Sequence, residues 1–159
     1  MDFDIAFNKA SLLCARQEYC RSDIAEKLQK WDTDAAIIKK VLAQLVVEKY
    51  IDEERFAGFY VRDKFRFNRW GKQKITWQLR QKRIPDEHIQ SAIESITDED
   101  YAKTLFQLLK EKARSIKDKD TRKKLAALVR FAVSRGFEMS EVMPLAVKLC
   151  GDVEDELTS

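Results

Sequence analysis

Between Arg55 and Ile84 the chain carries Arg55, Arg62, Lys64, Arg66, Arg69, Lys72, Lys74, Arg80, Lys82 and Arg83 against a single acid, Asp63. Guanidinium groups are planar forks that grip phosphate or carboxylate through paired hydrogen bonds, and lysines add mobile point charges, so this stretch suits a polyanion or an acidic protein face. If residues 53–69 form one helix, a turn of 100° per residue gathers Arg55, Arg62, Arg66 and Arg69 into a stripe about 60° wide. Phe56, Tyr60 and Phe67 then form one apolar flank on the far side, and Ala57, Val61 and Phe65 another. The loop Trp70-Gly71-Lys72-Gln73-Lys74 and the following helix extend the cationic face with Arg80, Lys82 and Arg83. Trp77 projects beside Lys74, Arg80 and Gln81, where a ring can stack on a base or a guanidinium, but its expected place is against a neighbouring repeat, and Phe59 is read the same way. A candidate second contact site is Lys117, Lys119, Arg122, Lys123 and Lys124, clustered around an expected loop.

Catalysis has little to stand on. There is no GxxxxGK[ST] phosphate cradle and no Gly-rich dinucleotide fingerprint. The one histidine, His88, has no second histidine or cysteine at ligand spacing and is expected on the surface or in helix packing. Cys14 falls on an apolar helix and Cys20 near its end, neither with a base to activate it; with Cys150 they are expected as reduced thiols. Acids such as Glu53-Glu54 and Asp98-Glu99-Asp100 stand at helix starts, where capping and the helix dipole account for them. The expectation is a binding protein with no catalytic residues, cofactor or metal.

The elements that must position the basic face follow from composition and spacing. With 159 residues, 45% apolar, 36% charged, four glycines and two prolines, the chain is suited to long helices with few special turns. Its net charge of +3 hides a segregation: only acids are charged from Asp86 to Asp100, and after Gly136 six acids face Lys148 alone. No leader pattern opens the sequence, and no apolar run approaches the roughly 18 residues of a bilayer span, so a cytoplasmic protein without membrane contact is expected.

Ile51-Asp52-Glu53-Glu54-Arg55-Phe56-Ala57 reads like Ile96-Thr97-Asp98-Glu99-Asp100-Tyr101-Ala102. Each pairs a capping side chain (Asp52, Thr97) with an apolar residue before it and an aromatic five residues on, the hydrophobic staple of a helix start. Ile24, Leu28, Ile38 and Leu42 recur 51 residues later as Ile75, Leu79, Ile89 and Ile93. Arg135-Gly136-Phe137 and Val142 mark a third copy, with Gly136 closing its helix in the left-handed conformation. The pattern predicts helices over 5–19, 23–30 and 35–49; over 53–69, 73–82 and 86–95; and over 98–116, 122–135 and 140–150, with Pro144 delaying or kinking the last. The fold expected is all-α: three tandem three-helix repeats, 1–50, 51–96 (basic) and 97–159 (with an acidic tail), stacked into an elongated, curved array.

These residues resemble the RecX family, bacterial modulators of the RecA recombinase. The resemblance rests on Ile51 through Ala57 with Val61-Arg62, on Gly71-Lys72, and on Ile75 with Gln78-Leu79-Arg80-Gln81-Lys82-Arg83-Ile84, ending in Ile89 and Ala92-Ile93. Arg21-Ser22, Ala25-Glu26-Lys27-Leu28, Ile38, Val41-Leu42 and Leu45 extend it upstream, so that it covers about residues 6–93. Trp31-Asp32 and Lys82-Arg83 depart from the family's usual lysine-glycine and put the shape of those turns in question. The resemblance implies three tandem three-helix units and binding to RecA–DNA filaments; a monomer is expected, with weaker, sequence-independent binding to single- and double-stranded DNA. It further implies inhibition of RecA ATPase, strand exchange and stimulated repressor cleavage. A sequence-reading helix-turn-helix protein and a helical protein-binding adaptor are the alternatives.

Overall fold

The computed structural model describes the backbone of residues 1–158 and the side chains of residues 1–151, so the acidic side chains expected in the tail at 152–156 lie outside the described residues. Among the described residues the chain is helical throughout, with no strand: α1 (Phe3–Arg16), α2 (Arg21–Lys30), α3 (Ala35–Val47), α4 (Glu53–Arg66), α5 (Lys72–Gln81), α6 (Asp86–Glu94), α7 (Asp98–Ser115), α8 (Thr121–Ser134) and α9 (Met139–Thr158).

The repeat is visible in how these helices begin and end. α1, α4 and α7 each open with a side-chain oxygen accepting the backbone N–H three residues on: Asp2 from Ile5 at 2.9 Å, Asp52 from Arg55 at 2.9 Å and Thr97 from Asp100 at 3.1 Å. α2, α5 and α8 each close on a left-handed residue, Asp32 (φ 53°), Arg83 (φ 61°) and Gly136 (φ 98°). In each, the N–H of the next residue (Thr33, Ile84, Phe137) reaches back to the carbonyl five positions earlier, the Schellman closure. Those three following residues are all buried. Asp32 and Arg83 thus take up the backbone shape that glycine adopts most easily, and the departures from lysine-glycine leave the turn intact.

Several boundaries differ from expectation, among them the end of α1 at Arg16 rather than 19 and the end of α9 at Thr158 rather than 150. α4 ends at Arg66 rather than 69, because the Trp70 N–H turns back to the Lys64 carbonyl at 3.1 Å and Arg69 takes φ 53°. α9 runs from Met139 straight through Pro144, which therefore does not delay its start.

The chain parts into two compact units, Met1–Arg62 with Gln78–Ala92, and Asp63–Trp77 with the chain from Ile93 onward. Each helix of the middle trio gives residues to both. In the first unit Ala6, Ala10, Ile24, Leu28, Ile38, Val41, Leu42, Leu45 and Ile51 form the core where α1, α2 and α3 pack. Fully burying one such leucine or isoleucine stabilises by about 1.5–3 kcal/mol. In the second unit Leu105, Leu109, Leu128, Phe137, Val142 and Ala146 are fully buried where α7, α8 and α9 pack.

Lys49, exposed at the end of α3, is also left-handed (φ 62°), with the Tyr50 N–H bonded to the Leu45 carbonyl at 2.9 Å. A side chain with a Cβ is strained there and glycine is not. Lys49→Gly should therefore raise stability by about 0.5–1 kcal/mol, read as a higher urea midpoint with an unchanged slope.

Candidate functional site

In each unit some of the basic residues lie where the end of one helix meets the start of another. In the first unit, the C-terminal end of α5 lies against the N-terminal end of α2. The Ser22 hydroxyl donates to the Lys82 carbonyl at 2.8 Å, and the Lys82 ammonium donates to Asp23 Oδ1 at 2.8 Å. Asp23 Oδ2 at the same time accepts the Cys20 N–H at 3.4 Å, capping α2. Burial works to lower the Lys82 pKa, but the Asp23 carboxylate outweighs it and holds the ammonium above its ordinary value. Arg21, Ser22, Glu53, Lys82 and Arg83 are among the residues lining a cavity of about 250 Å³ at this junction. One Glu53 oxygen is buried there without a hydrogen-bond partner, and burial raises its carboxyl above the usual range although Arg21 and His88 pull it down.

Elsewhere in the first unit, Arg80 pairs with Asp86 at 3.1 Å, and Arg62 is exposed with its guanidinium 4.8 Å from the centre of the Phe59 ring. Arg55 is turned inward. Its Nε donates to Glu18 at 2.6 Å, and its Nη2 donates to the Lys49 and Tyr50 carbonyls at 3.2 and 3.4 Å. It ties the start of α4 to the end of α3 and to the α1–α2 connection. The second Glu18 oxygen is buried without a partner, so removing the arginine would strand a half-buried carboxylate. Arg55→Ala should cost about 1–2 kcal/mol in urea unfolding; a change below about 0.3 kcal/mol would make the pair an incidental surface contact.

In the second unit the same kind of junction joins the start of α5 to the end of α8. The Gly71 and Gln73 N–H groups donate to the Arg135 and Gly136 carbonyls at 2.8 and 3.0 Å, and the Lys72 N–H donates to the Tyr101 hydroxyl at 3.0 Å. Helix-start donors and helix-end acceptors thus satisfy one another. Tyr101 is buried, donates to Glu138 at 2.8 Å and packs on Phe65 and Phe137; burial drives its phenol pKa well up, so it stays a hydrogen-bond donor. The Lys72 ammonium lies 4.5 Å from the centre of the Tyr101 ring, and Lys64 and Lys74 lie 5.1 and 4.5 Å from that of Trp70. Each such contact is worth about 0.5–1 kcal/mol at an exposed site. Arg69, beyond the end of α4, pairs with Glu111 at 2.8 Å, and Arg66 is exposed.

The stripe expected on the 53–69 helix is therefore reduced. Arg55, Arg62 and Arg66 lie on α4, Arg69 lies past its end, and Arg55 is engaged internally. Phe67 also lies past the helix end and is 80% exposed, not packed on an apolar flank. Trp77 and Phe59, expected against a neighbouring repeat, are 57% and 48% exposed. Of these rings, Phe59 has a cation over it, the Arg62 guanidinium. Arg21, part of the first junction, lies outside the basic stretch that the sequence marks and entered the sequence reading only through the family resemblance.

The second basic group is spread over the α7–α8 connection and the first turns of α8. Lys117, Lys119, Arg122 and Lys123 are exposed and Lys124 is half-buried. Asp118 and Asp120 are interleaved and accept the Asp120 and Arg122 N–H groups. Burial pushes the Cys14 thiol up to about 11 and raises Cys20 as well, leaving both protonated and poorly nucleophilic. Among the described residues no group of His, Cys, Asp and Glu is arranged to hold a metal ion, and no helix is long and apolar enough to cross a membrane.

Two family models match the chain: RecX, first three-helix domain, over residues 6–45, and RecX, second three-helix domain, over residues 52–93. The regulatory protein RecX of Leuconostoc mesenteroides is 25% identical over 134 residues, covering 84% of this chain and 50% of that protein. That of Prosthecochloris aestuarii is 28% identical over 137 residues, covering 86% and 88%. The chain thus spans about half the length of the first of these relatives and most of the second. A crystal structure of RecX from Lactobacillus salivarius superimposes with a TM-score of 0.81 at 21% identity, covering 93% of this chain and 96% of that one. A further crystal structure of a regulatory protein RecX gives a TM-score of 0.81 at 25% identity, covering 87% and 68%.

Proposed function

This chain belongs to the RecX family of regulatory proteins, and on that premise we propose that it binds the RecA–DNA filament in the cytoplasm and inhibits RecA ATPase, strand exchange and coprotease activity. The observation that carries the reading is one of position: all ten basic residues from Arg55 to Arg83 fall within residues 52–93, the stretch matched as the second three-helix domain. In this reading the three sequence repeats, 1–50, 51–96 and 97–159, act together as a monomer, and the middle one supplies most of the charge.

Arg62, Arg66 and Arg83, exposed on the middle repeat, are the residues best placed to meet phosphate oxygens or acidic RecA side chains. Phe59, Phe67 and Trp77, exposed aromatic residues of the same repeat, offer faces on which bases could stack. Lys64, Lys72 and Lys74 lie over aromatic rings, and Arg69, Arg80 and Lys82 are ion-paired; these give the surroundings a positive field and reach the partner by exchanging one set of bonds for another. Bound there, the protein would hinder subunit motion or the approach of a second strand.

A gel-shift comparison with and without RecA tests the reading. Tight binding should require RecA and show little dependence on DNA sequence. If four to six phosphates are neutralised directly, binding to duplex DNA alone should weaken with a log–log salt slope of roughly −3.6 to −5.4. Sequence-dependent binding in the absence of RecA would make the chain a helix-turn-helix reader instead. No binding to DNA or to filaments at low salt would leave only an adaptor role.

A further inference from the structure

On the second unit, α8 and α9 pack together and leave an apolar groove between them. Leu125, Ala126, Val129 and Val133 of α8 and Met139 and Met143 of α9 line a cavity of about 540 Å³. The groove is wet. Val133, Met139 and Met143 are 37%, 52% and 37% exposed, and Val147, one turn beyond Met143 on α9, is 50% exposed. Met139, Met143 and Val147 stand at i, i+4 and i+8, one continuous stripe on the helix.

Contiguous apolar surface left in water marks a contact site. Methionines are the side chains that adapt most readily to an incoming apolar face. The groove is lined mainly by aliphatic and methionine side chains from two adjacent helices, which fits the apolar stripe of an amphipathic helix. Among the described residues no aromatic side chain lines it on which a base could stack.

The charged groups decide which helix. Among the described residues the charges lining the groove are Arg122 and Arg130, both cationic and both exposed, and no carboxylate lines it. They stand eight residues apart on α8, roughly 12 Å along its axis. A helix lying in the groove would meet them with two acidic side chains at a similar spacing, while a helix flanked by lysines would face like charge.

We propose that the α8–α9 groove is a docking site for an acidic amphipathic helix of a partner protein, with Val133, Met139 and Met143 receiving its apolar face and Arg122 and Arg130 its carboxylates. The residues lining this groove all belong to α8 and α9, and its use does not depend on the filament reading.

The test uses the full chain and two fluorescein-labelled 18-residue helical peptides. Both carry the same leucine and methionine stripe; one has glutamates on its flanks and the other lysines. In anisotropy titrations the glutamate peptide should bind at least about tenfold more tightly than the lysine peptide. Combining Val133→Asn with Met143→Gln, both at solvent-exposed positions, should weaken the glutamate peptide at least about tenfold with helix content unchanged by circular dichroism. Combining Arg122→Glu with Arg130→Glu should reverse the preference between the peptides. Equal affinity for the two peptides, or no binding of either, would overturn the proposal. So would glutamate-peptide binding that survives the groove variant, since the peptide would then sit on the middle repeat. Self-association in sedimentation that the groove variant abolishes would overturn it too, assigning the groove to a second copy of this chain. Because the RecA ATPase effect is measured separately, failure here leaves the filament reading standing.

Discussion

Gly71→Ala is expected to destabilise the second unit by about 3–5 kcal/mol, enough to remove much of the stability of a typical domain. A Cβ at this position would lie 2.3 Å from the carbonyl carbon and oxygen of Gly136 and 2.4 Å from the Phe137 nitrogen. All three are backbone atoms at the close of α8, so no side chain can rotate away. The start of α5 would have to withdraw. Withdrawal breaks the Gly71 and Gln73 hydrogen bonds to the Arg135 and Gly136 carbonyls and parts Lys72 from the Tyr101 hydroxyl. Gly136 has no freedom to compensate, since its own φ of 98° and its approach to Lys74 fix it. The control is Gly58→Ala. Nothing lies within 4 Å of a Cβ at Gly58, which sits inside α4, so that change should stabilise by about 0.5–1 kcal/mol. Urea unfolding followed by circular dichroism distinguishes the two; a loss below about 1 kcal/mol in Gly71→Ala would mean the two backbones can separate cheaply.

The second large effect concerns the basic face. Replacing Arg62, Arg66 and Arg83 together with glutamate should raise the concentration needed to inhibit RecA by roughly a hundredfold, as expected from about fivefold for each charge-assisted hydrogen bond removed. The choice follows from the structure. Arg55 and Arg69 are left in place because Glu18 and Glu111 hold them, and reversing their charge would disturb folding as well as binding. Arg62, Arg66 and Arg83 are exposed, and a glutamate at 83 would meet the same left-handed strain that the arginine already bears, so helix content should not change. Half-inhibitory concentrations from RecA ATPase curves, with circular dichroism beside them, provide the check. Undiminished inhibition would remove this face from the mechanism.

Local features were legible because they are set by a few neighbouring residues. Asp52 and Thr97 cap helices, Gly136 is left-handed, and Ile24, Leu28, Ile75, Leu79 and Ile89 are buried, as spacing alone indicates. The structure extends the repeat further than the sequence does, since Asp2 caps α1 as Asp52 caps α4, and the closures at Asp32 and Arg83 match that at Gly136 without matching its residue type.

The basic site was less legible, because it depends on partners far along the chain. Arg55 reads as a member of a solvent-facing stripe until Glu18, 37 residues earlier, is seen to hold it. Arg69 belongs to that stripe only if α4 continues, and nothing in its own side chain shows that the helix stops at Arg66. Gly71 reads as a turn glycine, yet it is needed because a second backbone, that of Gly136 and Phe137, passes against it. Trp77 and Phe67 show the reverse. Large aromatics are expected to be buried, and their exposure is what makes them candidates for stacking.

The most direct test of the filament reading is ATP hydrolysis by RecA on single-stranded DNA, followed across a titration of this protein. A rate that falls progressively with added protein, and falls only at roughly a hundredfold higher concentration of the Arg62→Glu, Arg66→Glu, Arg83→Glu variant, is the predicted result. A rate that stays constant up to a large excess of the folded protein would contradict it.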